Sequence, residues 1–441
     1  MEVAQIGQTL QHIFGKAADE IAIETQFVQR ESKMTGSKFM QTFVVGFLQH
    51  PRASLNMLCQ VAEDIGVSIT KQGLQDRLTP QAVAFFGKLF ERCKAALRNK
   101  VPIALELLTQ FTAVQLVDSS GIALPDGLAD EFPGAGGDGP QASLKLQTIW
   151  EFLRGNLSDV IRQTGRQPDQ SFTGHLAHVI PGALFLCDLG YFTLTTLRDI
   201  AEGLAYFVSR LETKCVLYEP TTHKRFDLLA HLNASSEDQI EMNLLVGSEI
   251  KLACRVLAVR LPADVVQERR RKAQANARRK GRTLSDNKLA WLAWGVYITN
   301  VPITMLTLQQ AVLIYTLRWQ IELLFRLWKN EAHLDRVAGH LRERILCELY
   351  AKLIGLVVFH YLTAPIRWAE RELSPIKALQ TFQRHAIRIA QTLDSSSDLQ
   401  NALAQLIRCW QRFALKDKRR SRLSTCRQIE LAAAQSLEAL A

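Results

Sequence analysis

The chain has 441 residues and a formal net charge of +10. That length exceeds one ordinary hydrophobic core and suits two or three domains. A content of 47% hydrophobic and 22% charged residues excludes a disordered or fibrous chain and favours a globular one. The positive charge favours a polyanionic partner, either nucleic acid or an acidic membrane surface.

Cysteine usage and hydropathy bear on the compartment. The eight cysteines include no Cys-x-x-Cys pair, which argues against a zinc site or a disulfide framework and fits a reducing cytoplasm. The N-terminus lacks the basic start and apolar run of a signal peptide. Residues 289–317 carry no charge, but Asn300 and Pro302 interrupt them, so a buried strand and helix are predicted there. We expect a cytoplasmic protein without a membrane partner.

Residues 1–105 are predicted to form a helical domain, because apolar residues recur at helical spacing. Within it, residues 58–78 place two amphipathic segments around Gly66, as in a helix-turn-helix. The second helix would present Lys71 and Gln72 to DNA. Two packed helices joined by a turn are the alternative.

Two short apolar runs in the middle of the chain each end on an aspartate. Residues 113–117 precede Asp118, and residues 183–187 precede Asp188. Side chains at the carboxyl ends of neighbouring strands meet at one edge of a sheet, so the two acids are expected to converge. The alternatives are that Asp118 caps a turn through the two serines after it, and that Asp188 forms a turn.

The remaining elements suit a mixed sheet flanked by helices. A hairpin is predicted over residues 144–160, a helix over 194–204 and a strand over 206–210. The Gly- and Pro-rich loop 125–140 carries acids that we expect to be solvated. From residue 311 the chain is predicted to be helical, with a basic cluster over residues 416–422.

Residues 211–295 are predicted to form an inserted β-rich subdomain with a basic arm. We expect the arm to follow DNA phosphates, with a solvated helix face as the alternative. The cations of the arm are Arg269, Arg270, Arg271, Lys272, Arg278, Arg279 and Lys280.

A nearly apolar segment, residues 315–329, carries polar side chains on one stripe. On an α-helix Arg318, Glu322 and Lys329 lie at roughly −60°, −20° and −40° from Tyr315. Because the other faces are apolar, a buried helix is predicted. A desolvated carboxylate needs a cation or a metal, and local ion pairs with Arg318 and Lys329 are the simpler alternative.

The spacing Tyr-x2-Arg-x3-Glu-x6-Lys resembles the signature of a large group of bacterial insertion-sequence transposases. These are DDE enzymes with a ribonuclease-H-like catalytic domain. Three carboxylates meeting at one site would repel unless divalent cations lay between them, and oxygen ligands select Mg²⁺, with Mn²⁺ as a substitute. The catalytic acids that the resemblance implies are Asp118, Asp188 and Glu322.

The resemblance implies further roles. Tyr315, Arg318 and Lys329 would contact DNA near the scissile phosphate. A tryptophan of the insertion would stack on a flipped base; Trp294 is preferred to Trp291, and both are also core candidates. A homodimer would hold two transposon ends.

The predicted fold is α/β, a ribonuclease-H-like mixed sheet flanked by helices, with an inserted β-rich subdomain and helical N- and C-terminal domains. The predicted boundaries are 1–105 for a DNA-binding domain, 106–210 and 296–340 for the catalytic domain, 211–295 for the insertion and 341–441 for a C-terminal helical domain.

The predicted function is that of a DNA transposase. It would bind inverted-repeat ends, cut by metal-activated water and join the 3′-hydroxyl end to target DNA by transesterification, in the bacterial cytoplasm and at the nucleoid when bound to DNA. The alternatives are a catalytically silent DNA-binding derivative of a transposase and a metal-dependent nuclease of the same fold.

Overall fold

The computed structural model describes residues 3–103, 105–369, 373–417 and 427–431. Within these, the α-helices are α1 (Val3–His12), α2 (Ala18–Glu24), α3 (Gly36–Gln49), α4 (Leu55–Asp64), α5 (Lys71–Gln75), α6 (Pro80–Ala96), α7 (Leu194–Glu202), α8 (Leu228–Ala234), α9 (Ala263–Arg279), α10 (Asp286–Trp291), α11 (Leu308–Tyr315), α12 (Trp319–Asn330), α13 (Arg342–Ala369), α14 (Pro375–Gln391) and α15 (Ser396–Phe413). The strands are β1 (Val114–Leu124), β2 (Ala142–Glu151), β3 (Asn156–Thr164), β4 (Leu184–Cys187), β5 (Tyr206–Arg210), β6 (Leu217–Tyr218), β7 (Arg225–Phe226), β8 (Gln239–Val246), β9 (Leu252–Arg260) and β10 (Trp294–Thr299).

Many helices begin at a Ser or Thr whose side chain accepts a hydrogen bond from the backbone of the first turn. Thr35 caps α3 and Thr79 caps α6 in this way, and Pro80 opens α6 with a preset backbone angle. Thr307 and Gln310 complete a reciprocal capping box at the start of α11. These local signals fix where the predicted helices start.

The first of two compact units, here the helical unit, comprises the described residues 3–103, 119–167, 321–369 and 373–417. It contains the predicted N-terminal helices, with a cluster of phenylalanine rings between α3 and α6, and the predicted hairpin, formed by β2 and β3. Helix α13 packs against α3 and α6. Its stretch Arg342–Ile366 has the length and hydropathy of a membrane span, but its most apolar 18-residue window is entirely buried inside the protein.

The second unit, here the sheet unit, comprises the described residues 105–118, 168–320 and 427–431. Its strand order is β1-β4-β5-β10-β9-β8-β6-β7. Strands β1, β4 and β5 are parallel, with Val117 opposite Cys187 and Cys187 opposite Ser209, whereas β10 runs antiparallel to β5 and β9. The strands between residues 211 and 295 therefore extend the same sheet. A mixed α/β architecture is confirmed.

The structure corrects three expectations. Strand β1 does not end before Asp118 but continues to Leu124. Residues 315–329 are not one α-helix, because the 3-10 turn Thr316–Arg318 separates α11 from α12. The loop acid Glu131 is not simply solvated, because it forms a bidentate ion pair with Arg342.

The described residues include only part of what was predicted about the cysteines and about the second basic cluster. The cysteines within the described residues are all free thiols. Of the basic cluster 416–422, residues 418–422 lie outside the described part of the chain.

Candidate active site

Asp118 and Asp188 follow the paired ends of two neighbouring parallel strands. Their pairing ends at Val117 opposite Cys187, and each aspartate is the next residue. All four residues of β4 are buried, which explains why a strand covered on both faces reads as an uninterrupted apolar run. The main chain therefore brings the two acids to the same edge of the sheet.

The simpler explanation fails for one of these two aspartates and holds in part for the other. Asp118 cannot cap a turn through the serines after it, because both serines belong to β1. Asp188 precedes the 3-10 turn Leu189–Tyr191, but its side chain does not cap that turn. Asp188 does begin this turn through its backbone, because its carbonyl oxygen accepts from the N–H of Tyr191 at 3.0 Å, and its carboxylate takes no part in that hydrogen bond.

Arg318 joins the two acids. Its Nη1 atom lies 3.6 Å from Oδ2 of Asp118, and its Nε atom lies 3.8 Å from Oδ1 of Asp188. The guanidinium is 15% exposed, against 20% for Asp118 and 41% for Asp188. One cation thus balances two carboxylates that would otherwise repel each other at short range.

Tyr315 lies beneath this cluster and is only 7% exposed. Its hydroxyl donates to the carbonyl oxygen of Cys187 at 3.2 Å, which ties the end of α11 to the residue before Asp188. Burial, reinforced by the charge of Asp188, raises the pKa of Tyr315. The phenol is therefore a neutral hydrogen-bond donor that supports the end of β4, the strand that leads to Asp188.

Glu322 and Lys329 lie on α12 and are both half-buried. Helix α12 is held on α13 by a buried hydrogen bond from Nε1 of Trp328 to Nε2 of His360, 3.0 Å long. The helix is not buried all round, because Trp319 and Leu323 are 44% and 41% exposed. Sequence periodicity missed this exposed apolar pair.

The predicted base-stacking tryptophans differ in access. Trp294 is 3% exposed, and the Arg260 guanidinium covers its ring with Cζ 4.4 Å from the centroid. Trp291, at the end of α10, is half-buried. The ring of Trp294 thus already has a cationic partner, and Trp291 is the more accessible of the two.

The basic arm forms most of α9, which has no buried residue. Glu268 pairs with Arg271 and Lys272, and these contacts, hydrogen bonds first, lower the pKa of Glu268 to about 2. Arg270 donates to the carbonyl oxygen of Leu289 at 3.3 Å. The exposed cations of this helix are Arg270, Arg271, Lys272, Arg278 and Arg279. Lys280, the residue after the helix, is also exposed, and Arg269 is half-buried.

The predicted helix-turn-helix corresponds to α4 and α5. Gly66 adopts the left-handed conformation expected of the turn, with φ +84°. Lys71 and Gln72 are exposed at the start of α5, as predicted, but Gln72 donates to Asp76 at 2.6 Å. Helix α5 has only five residues, so it offers a short surface for reading a groove.

The donor chemistry at Asp118 and Asp188 suits a divalent metal ion. Mg²⁺ takes oxygen ligands and is commonly held by one or two carboxylates, with water and substrate phosphates completing its shell. Within the described residues, no group of three or more His, Cys, Asp or Glu side chains is gathered as a metal site. A two-carboxylate start to the ligand set fits Mg²⁺ better than it fits zinc.

Comparison with known proteins agrees with this chemistry. A family model described as a transposase DDE domain matches residues 109–358, more than half of the chain. The transposase of insertion sequence element IS231B from Bacillus thuringiensis subsp. berliner is 28% identical over 438 residues, which cover 93% of this chain and 91% of the relative. The transposase of IS1151 from Clostridium perfringens is 25% identical over 446 residues, with 95% and 94% coverage.

The family match confirms the ribonuclease-H-like fold class, the DNA transposase function and the class of enzyme that cleaves DNA and transfers strands. It also implies a divalent metal cofactor and DNA as the substrate. The chain therefore belongs to the DDE transposases of bacterial insertion sequences.

Proposed function

We propose that Asp118, Asp188 and Glu322 are the catalytic acids of this transposase and that they hold Mg²⁺, with Mn²⁺ able to replace it. The observation that carries the proposal is the convergence of Asp118 and Asp188 on the single guanidinium of Arg318. Glu322 is assigned as the third carboxylate because of its position in the Tyr-Arg-Glu-Lys spacing.

Bound metal would lower the pKa of water and stabilise the oxygen that leaves the scissile phosphate. The chain's own residues do the rest. Asp118 and Asp188 supply oxygen ligands from adjacent strand ends. Tyr315 supports the backbone at Cys187, and Arg318 and Lys329 bind phosphate oxygens of the strand being cut.

We propose that the substrate is the pair of inverted-repeat ends of the element and that the exposed 3′-hydroxyl then attacks target DNA. The N-terminal domain, residues 1–105, would bind the ends through Lys71 and Gln72. The basic helix α9 would follow phosphates, which its exposed cations support. We propose the same domain boundaries as predicted from the sequence. A homodimer would hold the two ends in one complex. The protein would be cytoplasmic and would join the nucleoid when it binds DNA.

A cleavage assay tests the assignment of Glu322. Labelled DNA carrying the element's own ends is incubated with Mg²⁺ and the wild type, Glu322→Gln or Glu331→Gln. Glu331 is the matched control, because it lies just beyond α12 and its carboxylate accepts a hydrogen bond from Gln380. We expect Glu322→Gln to bind the ends but to cut them at least a hundredfold more slowly, and Glu331→Gln to cut normally.

Equal cutting by Glu322→Gln and the wild type would overturn the assignment. A protein that binds ends without cutting them would support the catalytically silent alternative. Cutting without dependence on end sequence and without joining would support the nuclease alternative.

Base stacking is proposed for Trp291 in preference to Trp294. Half-burial leaves part of the Trp291 ring open, whereas a base could reach Trp294 only by displacing Arg260. 2-Aminopurine placed at the transposon end reports the stacking directly, because its fluorescence is quenched by an aromatic neighbour. Loss of quenching in Trp291→Ala, with retention in an Arg260→Gln control, is the expected result.

A further inference from the structure

The loop between α12 and α13 is held by a buried pair of opposite charges. Glu348 and Lys352 lie one turn apart on α13, and their side chains are 0% and 1% exposed. Nζ of Lys352 donates to Oε1 of Glu348 at 2.7 Å. A charge pair so deep in a protein is costly to desolvate and contributes little net stability compared with apolar residues. We therefore looked for a role of this pair other than stability.

The remaining bonds of this pair all go to the loop. Lys352 also donates to the carbonyl oxygens of His333 and Arg336, at 3.0 and 2.7 Å. The second oxygen of Glu348 accepts from the backbone N–H of Ala338 at 2.9 Å. All three ammonium protons and both carboxylate oxygens are thereby used, and three backbone groups of residues 333–338 are fixed to one helix.

The loop backbone is strained where the pair holds it. His333 has φ +46°, a left-handed conformation that a side chain with a Cβ atom adopts at a cost. Strain of this kind persists only where surrounding contacts impose it, and it is frequent at binding sites. The hydrogen bond from Lys352 to the His333 carbonyl is such a contact.

The surface that the loop presents is positively charged. Arg52 and Arg336 are both exposed, and Nζ of Lys352, which holds the loop, lies 5.4 Å from the ring centroid of Phe47 on α3, five residues before Arg52. Burial first, and then the charges of Arg52, Arg336 and Lys352, hold the pKa of His333 below its ordinary value, with Asp335 opposing them. His333 is therefore neutral near pH 7, and its imidazole belongs to the same loop as Arg336.

We propose that Arg52, His333 and Arg336 form a phosphate-binding patch for duplex DNA and that the Glu348–Lys352 pair positions it. Two guanidinium groups and a neutral imidazole suit the oxygens of the sugar-phosphate backbone and carry no base specificity. The patch follows the end of the helix that carries Lys329, so it adds phosphate contacts beyond those of the Tyr-Arg-Glu-Lys residues. The inference rests on the binding of DNA and is independent of the metal-binding acids.

The salt dependence of DNA affinity tests the patch. Binding of a labelled duplex of unrelated sequence is measured in EDTA, where no cleavage occurs, for Arg52→Gln, Arg336→Gln and their double variant. Each substitution should lower the slope of log K against log salt by about 0.9, and the double variant by about 1.8. Arg388→Gln on α14, whose arginine bonds to Gln405, is the control and should keep the wild-type slope.

Unchanged slopes in both single variants, or an equal fall in the control, would overturn the patch. Because EDTA removes catalysis from the measurement, failure of the proposed catalytic acids would leave this result unaffected. The two proposals therefore fail separately.

A second comparison tests the positioning role. Lys352→Met leaves a buried carboxylate unpaired and should lower the melting temperature, whereas Glu348→Gln combined with Lys352→Met removes both charges and should recover much of it. If the pair positions the loop, the double variant still shows faster amide exchange over residues 333–338 and a smaller salt slope. The proposal would be overturned if the double variant recovered its melting temperature and also kept the wild-type amide exchange and the wild-type salt slope. The pair would then have only a structural role.

Discussion

Replacing Arg318 with Gln should tighten the binding of Mn²⁺ to the DNA-free protein. A divalent cation and the guanidinium compete for the same lone pairs on Asp118 and Asp188. In the wild type the ion pairs at 3.6 and 3.8 Å must be broken or weakened before metal binds. In Arg318→Gln that cost is absent, and the two carboxylates repel each other until a cation arrives.

The magnitude follows from distance and exposure. At an effective dielectric constant of about 20, unit charges at these separations attract by about 4–5 kcal/mol per pair before desolvation and screening. Asp188 is 41% exposed and Asp118 is 20% exposed, so we discount each pair to about 1 kcal/mol. A total of about 2 kcal/mol corresponds to roughly a 30-fold change in affinity.

Titration calorimetry with Mn²⁺ in the absence of DNA measures this change, and melting temperatures in EDTA provide a second readout. Arg318→Gln should melt lower than the wild type in EDTA and gain more from added Mn²⁺. Arg198→Gln is the matched control, because Arg198 also contacts two carboxylates, Asp199 at 2.9 Å and Glu202 at 3.6 Å, on the exposed face of α7. Unchanged or weaker Mn²⁺ binding in Arg318→Gln, or equal tightening in the control, would show that Arg318 does not compete with the metal for the two aspartates.

Three further predictions follow from single contacts. Tyr315→Phe removes a buried hydroxyl donor and should lower the free energy of unfolding in urea by about 1 kcal/mol; no loss would mean that this hydrogen bond is not formed in solution. Trp294→Ala should cost about 3–5 kcal/mol because the ring is buried, and Trp291→Ala clearly less, so equal costs would contradict the assigned burial. The hydrogen bond and charge of Arg342 lower the pKa of Glu131, so their stabilisation is present above the unfolded pKa and is lost as pH falls through the folded value. The difference in the free energy of unfolding in urea between wild type and Arg342→Gln is below about 1 kcal/mol for so exposed a pair. It should shrink between pH 7 and pH 3, and a constant difference would contradict the pairing.

The sequence was sufficient where local chemistry and burial agree. The apolar run before Asp188 is β4, because a parallel strand covered on both faces has no polar side to alternate with. Gly66 marks its turn because the left-handed backbone there excludes most other residues. The convergence of Asp118 with Asp188 follows from parallel pairing of their strands, which the two apolar runs suggested.

Other features depend on contacts that no local pattern carries. A helical wheel does not reveal the 3-10 turn at Thr316–Arg318, because the tighter winding of three residues is not marked by a change of residue type. The turn nevertheless separates Tyr315 from the helix face that carries Glu322 and Lys329. Strand β1 runs on through polar residues beyond Asp118. Arg342 and Glu131 are separated by 211 residues, so no spacing rule could have paired them.

Strand β8 escaped prediction for a different reason. Its burial alternates along Gln239–Val246, but the sequence places methionine and asparagine among the β-branched and aliphatic residues that usually mark strands. The strand is formed because all of β8 pairs with β9, and this long-range pairing compensates for the weak local strand propensity.

Cysteine substitution of the three acids tests whether each of them binds the metal. A thiolate is a soft ligand that binds Mn²⁺ better than Mg²⁺, so a true metal ligand changes its metal preference when it becomes cysteine. Asp118→Cys, Asp188→Cys and Glu322→Cys should fail to cut transposon ends in Mg²⁺ and recover cutting in Mn²⁺, while the wild type cuts in both. Wild-type cutting in Mg²⁺ by any of the three would contradict the account for that residue.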